Sequence, residues 1–220
     1  MYRFKVAFLI DKNNNWIENY LSNFLKNLNT SKFRYTYFKD HKKIKNYDIV
    51  FILNYTKIIK KNYLIKNKLN LVIHSSKLPH GKGFAPLQWQ VLENKKKICV
   101  SLIEAVNKVD SGNIYLQKNI QLDGTELYDE LRFKQAKVIK YLIFKFLKQF
   151  PKNKSKKQFG KSTYFRRRKK EDSKVNINST IKKIFPLMRI SNNQNWPIYF
   201  NYKKKKYIIK IFKHDNKKNK

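Results

Sequence analysis

Four short runs, each dominated by apolar residues, limit what this chain can become: "RFKVAFLI" (Arg3–Ile10), "YDIVFILNY" (Tyr47–Tyr55), "NLVIH" (Asn70–His74) and "KICVSLIEA" (Lys97–Ala105). Runs of this length suit buried strands and fall far short of a bilayer span. Two further segments, "FRYTYF" (Phe33–Phe38) and "NIYLQKNIQL" (Asn113–Leu122), alternate as half-buried strands do. Helical patterns lie between them. After the "NNN" break, Trp16, Ile17, Tyr20, Leu21, Phe24, Leu25 and Leu28 recur at helical spacing. Thr125–Phe150 predicts a long amphipathic helix, opened by Thr125, with acids in its first turns and lysines in its last. Strands alternating with helices predict an α/β fold around a largely parallel, Rossmann-like sheet. Functional loops of such sheets lie at the carboxyl ends of the strands.

A chain of 220 residues holds one sizeable core, or one core plus a small appendage. The expected division is a main domain at 1–150, a polar linker at 151–161 after Pro151, a small α+β module at 162–214 and a frayed tail at 215–220. An aromatic content of 15% argues against disorder, because Phe and Tyr bury much area per residue. The single cysteine, Cys99, excludes an internal disulfide and a cysteine-cluster zinc site. The four histidines (41, 74, 80 and 214) are scattered, so no metal is expected. The amino-terminal apolar stretch is too short for a signal peptide and no run spans a membrane, which places the expected location in the cytoplasm.

The formal charge of +37 has two readings. A large positive field attracts nucleic acid. A codon-driven abundance of Lys, Asn, Ile, Tyr and Phe produces the same charge, and the lysines are spread along the whole chain. Residues 151–220, with 23 Lys/Arg against 3 Asp/Glu, keep an anionic partner in view.

Gly and Pro number only five each, yet Pro79, Gly81, Gly83 and Pro86 crowd into eight positions just after His74. Glycines let backbone approach a ligand, and prolines fix the path of a loop that must pass the histidine. Asp110, in "NKVDSGNIY", precedes another strand. If its loop lies beside that of His74, the carboxylate can fix the imidazole tautomer and steady its charged form. Such a pair can polarise a carbonyl or assist proton transfer from an amine.

"HSSKLPHGKGFAP…VDSG" resembles the folate-dependent formyltransferase family, through His74, Ser76, Leu78-Pro79, Lys82-Gly83, Pro86 and Asp110-x-Gly112 in order across about forty residues. The resemblance implies a formyltransferase sheet using 10-formyltetrahydrofolate, with His74, Asp110 and Ser76 as catalytic residues. It implies folate contacts from Asn54, Tyr55, Ile58, Ile59, Gly81, Gly83, Pro86 and Gly112, the first four in a loop that holds the pterin ring. The carboxy-terminal segment resembles that of sugar N-formyltransferases. The implied acceptor is therefore the primary amine of a nucleotide-linked amino sugar. Initiator methionyl-tRNA is the alternative acceptor, an anion-binding protein without activity is the alternative of another class, and a second copy of the chain is a candidate partner. One position departs: the family Asn two residues before the His is Val72 here. That Asn donates to the formyl oxygen, and losing one such donor costs about a hundred- to a thousand-fold in rate. Asn54, Ser76 and Gln90 are candidate substitutes. Trp89 is expected in the core, and Arg166-Arg167-Arg168 can meet a pyrophosphate or remain solvated.

Overall fold

The computed structural model describes residues 3–26, 28 and 31–214; the tail expected at 215–220 lies outside the described residues. In chain order the elements are β1 (Phe4–Ile10), α1 (Glu18–Lys26), β2 (Phe33–Phe38), β3 (Ile49–Leu53), α2 (Lys61–Leu64), β4 (Asn70–His74), β5 (Lys82–Gly83), α3 (Pro86–Leu92), β6 (Lys97–Glu104), β7 (Ile114–Gln121), α4 (Tyr128–Gln149), β8 (Tyr164–Phe165), α5 (Ile181–Arg189), β9 (Ile198–Tyr202) and β10 (Lys205–Ile209). Six strands form one sheet in the order β2-β1-β3-β4-β6-β7. The pairs β1/β2, β1/β3 and β3/β4 are parallel, whereas β6 runs antiparallel to both β4 and β7.

The apolar runs fold this way because alternate residues serve opposite faces of the sheet. Val6, Phe8 and Ile10 of β1 and Phe51 of β3 join one cluster with Ile17, just ahead of α1, Leu21 of α1 and Ile139, Ile143 and Phe146 of α4. Ala7 and Leu9, one residue out of step, join Val50 and Ile52 against Ile44 on the other face. β4 follows the same rule: Leu71 enters the first cluster, and Val72 packs against the second. His74 shares the parity of Val72, so sheet geometry places its ring on the second face, which the long helices do not cover.

The long helix starts later than its sequence suggests. Thr125 is not its cap; the Thr125 hydroxyl is held by Asp123 at 2.6 Å. α4 begins at Tyr128, where the Glu130 carboxylate accepts the Leu127 N–H at 2.9 Å. Ahead of it, buried Glu126 pairs with buried Arg189 of α5 at 3.0 Å, and the Arg189 Nε–H donates to the Glu126 carbonyl at 3.1 Å. This joins the carboxy-terminal segment to the sheet-bearing part. That segment has its own small cluster, built on Val175, Met188 and Ile198, under the β9–β10 hairpin. Among the described residues, no helix is long and apolar enough to cross a membrane.

Candidate active site

His74 closes β4, and the backbone turns immediately after it into the Pro/Gly segment. Its Nε2 lies 2.8 Å from the Gly81 carbonyl oxygen, and its Nδ1 lies 3.5 Å from Asp110 Oδ1. Both side chains are more than nine-tenths buried. Both ring nitrogens thus face oxygen atoms.

Asp110 reaches the histidine by an indirect route. Because β6 is antiparallel to β4, its last residue, Glu104, stands opposite Leu71, at the far end of β4 from His74. Residues 105–113 must therefore run back along the sheet before β7 begins. Several contacts hold them there. The Gly83 N–H donates to Asp110 Oδ2 at 2.9 Å. The Gln158 side-chain amide donates to the carbonyls of both Asp110 and Gly112 at 2.8 Å. Gly112 sits so close to the Glu104 carbonyl that an added Cβ would lie 1.9 Å from its oxygen. Asp110 itself has φ +52°, a left-handed conformation costly for any residue with a side chain.

The Pro/Gly segment is shaped against the chain's later residues. β5 pairs in parallel with β8. The Gly81 N–H donates to Thr163 Oγ1 at 2.8 Å, and the Phe84 N–H donates to the Phe165 carbonyl at 3.0 Å. At Gly83, with φ +94°, an added Cβ would stand 2.4 Å from that same carbonyl oxygen, so only glycine fits. Pro86 then occupies the first turn of α3, where its missing N–H costs nothing. Lys82 is buried, and its ammonium donates to Ser111 Oγ at 3.0 Å, next to Asp110.

A third loop leaves β3, the parallel neighbour of β4. Asn54 is left-handed at φ +55°, and its amide donates to the Asn14 carbonyl. Tyr55 turns its hydroxyl to His41 Nδ1 at 2.8 Å, and Ile59 packs against the second face of the sheet. Ile58 is 69% exposed. The loop is pinned by Asp11 at the end of β1, whose carboxylate accepts the Thr56 N–H at 2.9 Å, the Thr56 hydroxyl and the Asn13 N–H. Burial pushes the Asp11 carboxyl up, but these hydrogen bonds and Lys57 outweigh it and hold it below the usual range.

The structure therefore gathers His74, Asp110, Gly81, Gly83 and Gly112. It places Ser76 differently. Ser76 is 1% exposed, and its hydroxyl has no partner. It lines a separate recess that neither His74 nor Asp110 lines. Of the other candidate substitutes for the family Asn, Gln90 spends its amide on the Ser75 and Pro86 carbonyls at 2.7 and 2.9 Å, and Asn54 is held by Asn14. Val72 packs among apolar side chains of both neighbouring clusters. Trp89 is not a core residue: its indole donates to the Arg166 carbonyl at 2.9 Å and stacks on Phe165. Arg166 is taken by Asp172 in a two-pronged pair that, against some burial, lowers the Asp172 carboxyl to about 2. Arg167 lies over the Phe84 ring at 4.3 Å.

Asp11, Gln158 and Thr163 escape a reading of sequence alone. Asp11 carries a signal, an acid directly after a buried apolar run. Gln158 and Thr163 carry none, since each lies in a stretch of ordinary polar composition.

Known proteins resemble this chain in sequence and in fold. The sequence model described as Formyl transferase matches residues 6–143. Methionyl-tRNA formyltransferase of Thermodesulfovibrio yellowstonii is 32% identical over 177 residues, covering 78% of this chain and 56% of that protein. The chain thus spans about half the length of the curated relatives it matches. Among solved structures, methionyl-tRNA formyltransferase from Clostridium thermocellum superposes with a TM-score of 0.82 at 23% identity, covering 98% of this chain and 95% of that one. The N-formyltransferase from Helicobacter canadensis, solved with folinic acid and dTDP-3-aminofucose, gives a TM-score of 0.69 at 22% identity, over 91% and 85% of the two chains. With the matched stretch enclosing both His74 and Asp110, the chain belongs to the formyl transferase family.

Proposed function

We propose that this chain transfers a formyl group from 10-formyltetrahydrofolate to a primary amine. The observation that carries this reading is the buried His74–Asp110 pair, clasped by the Gly81–Gly83 segment. The surrounding loops suit a flat, largely apolar cofactor: Ile58, Val106 and Val109 are exposed on them, and Phe84 is 40% exposed beside Gly83. Ile58, Ile59, Asn54 and Tyr55 on one side and Gly81, Gly83, Pro86 and Gly112 on the other would hold it. When bound, the cofactor supplies the formyl group as an electrophilic carbon ready for an amine.

The protein's part is positioning and charge. Asp110 orients His74 through Nδ1 and is itself fixed by Gly83. The proton on Nε2 is engaged by the Gly81 carbonyl. A formyl oxygen that takes over this hydrogen bond receives a donor where negative charge builds, in a site largely screened from water. His74 then assists the proton transfer that completes the exchange. Holding cofactor and amine in register supplies much of the rate without a covalent enzyme intermediate.

For the acceptor, the 32% identical relative and the net charge of +37 support an aminoacyl-tRNA, whose phosphates the lysines would neutralise. The second reading is a nucleotide-linked amino sugar, supported by the likeness to the Helicobacter canadensis enzyme with its dTDP-3-aminofucose. The test is formyl transfer to methionyl-tRNA and to a panel of amino nucleotide sugars, across salt concentrations. His74→Ala and Asp110→Ala should each lower turnover by about a hundredfold or more while the fold survives. Retention of more than about a tenth of the wild-type rate by either variant would overturn the role given to the pair.

A further inference from the structure

A recess of about 810 Å³ opens on the far side of the Pro/Gly segment from the reacting pair, between residues 76–81, the β6–β7 edge of the sheet and β8. Register places Cys99 opposite Asn119, so these two and Gln117 share its floor. Lys77 and Lys97 are exposed at its margin, and Tyr164 and Phe165 form a wall. Its size falls in the range of about 300–1,000 Å³ usual for small-ligand pockets.

Three features make it more than a surface dip. First, its floor is polar: Asn119 lines it beside Gln117, whose amide donates to Ser101 Oγ at 2.9 Å. Second, its charge is not internally balanced. Glu93 is satisfied by Lys95 at 2.7 Å, and the Lys118 ammonium lies over the Tyr141 ring at 5.0 Å. Lys77 and Lys97 have no carboxylate within ion-pair distance among the described residues. Burial pushes the Cys99 thiol up, against its hydrogen bond with Ser101 and the charges of Lys77 and Lys97. Third, Tyr164 offers a ring that is 62% exposed, with the Lys82 ammonium over it at 6.0 Å.

We propose that this recess is a second ligand site, distinct from the formyl-transfer site, which takes a free nucleotide. Lys77 and Lys97 meet its phosphates, Gln117 and Asn119 supply hydrogen bonds, and the Tyr164–Phe165 wall receives the base. The site does not depend on which amine the enzyme formylates.

The test is calorimetry of the whole chain with ADP and with pyrophosphate. ADP should bind, 5-formyltetrahydrofolate should not displace it, and His74→Ala should leave it unchanged. Lys77→Ala/Lys97→Ala should weaken it by at least about tenfold. The distant pair Lys203→Ala/Lys204→Ala should not alter it, which separates a site from general attraction to a basic protein. The proposal fails if millimolar ADP gives no heat, if the Lys77/Lys97 variant binds as wild type does, or if folate or His74→Ala removes the binding. Pyrophosphate binding as tightly as ADP would overturn the nucleotide assignment, since the ring wall would then contribute nothing.

Discussion

The sheet and the segment that follows α4 are held by different forces. Phe8, Phe51 and Phe146 lie fully buried in one continuous cluster that binds strands to helices. The carboxy-terminal segment rests on far less, with Val175, Met188 and Ile198 as its apolar centre. Of its described residues only Ile190, with Leu187 against it, enters the main cluster, and the rest of the attachment runs through the Glu126–Arg189 pair, the Gln158 amide, Thr163 and the short β5–β8 ladder. Apolar burial is non-directional, so it builds the platform without setting atoms to fractions of an ångström. Hydrogen bonds are directional, and here they fall on the Gly81–Gly83 and Asp110–Gly112 loops. The weaker region therefore does the finer positioning.

The largest expected effects come from each region's own anchor. Phe146→Ala should cost about 3–5 kcal/mol, read as a lower urea midpoint for the whole chain, because it empties the centre of the platform. Glu126→Ala should cost a similar amount, about 3–5 kcal/mol, by stranding the buried Arg189 charge. The two differ in pH dependence. Burial pushes the Glu126 carboxyl up, but hydrogen bonds from Lys134, Asp123 and Gly124 outweigh it, so its folded value lies below the ordinary glutamate range. A depressed folded value gives stability that is present above the unfolded pKa and lost as pH falls through the folded one. The gap between wild type and Glu126→Ala should thus narrow on acidification below the ordinary glutamate range, while the gap for Phe146→Ala should not. Parallel behaviour of the two would erase the contrast.

The platform is legible in the sequence for the same reason that it is stable. A run such as "VAFLI" must be buried on both sides, and residue parity then assigns Val6, Phe8 and Ile10 to one face and Ala7 and Leu9 to the other. Strand direction is not written in that pattern. The antiparallel setting of β6, and so the return path of residues 105–113, comes from pairing with β4 and β7. That His74 and Asp110 come together beside the two loop glycines was legible, because close backbone contacts at Gly81 and Gly83 need glycine and the imidazole needs an acceptor. The burial of the Ser76 hydroxyl without a partner was not legible. Trp89 looked like core material because composition cannot tell a buried ring from one that pins a neighbouring strand.

Val72 tests the contrast inside the platform. Its side chain packs against the Ala7–Ile52 cluster on one side and the Leu78–Ile103–Ile114 cluster on the other. Val72→Asn would restore the family residue but place an amide among apolar groups, at a cost of about 1–3 kcal/mol if unpaired. The expected outcome is a lower melting temperature and no gain in formyl transfer. A rate gain approaching a hundredfold would instead show that the native chain lacks one donor to the formyl oxygen.

Gln158 tests the other half, and its signature should be small in stability and larger in turnover. One amide holds two carbonyls, of Asp110 and Gly112, each at 2.8 Å. Its own Oε1 is buried without a partner, so the side chain is not kept for its net contribution to stability. Gln158→Leu removes both hydrogen bonds at similar size, and the expected loss is about 1 kcal/mol. The kinetic effect follows from Asp110. Its φ of +52° is unfavourable and persists because Gly83 and Gln158 hold it from two sides. Releasing one side lets the carboxylate drift from His74 Nδ1, already 3.5 Å away. A displacement of about 1 Å at a reacting group can cost about a hundredfold. The variant should therefore lose kcat well beyond its loss of stability, with KM for the folate changed less, since, of the residues proposed to hold the folate, Gln158 bonds to one, Gly112. An unchanged kcat would mean that Gly83 alone fixes Asp110. The carboxy-terminal segment would then be an attachment to the site rather than part of its construction.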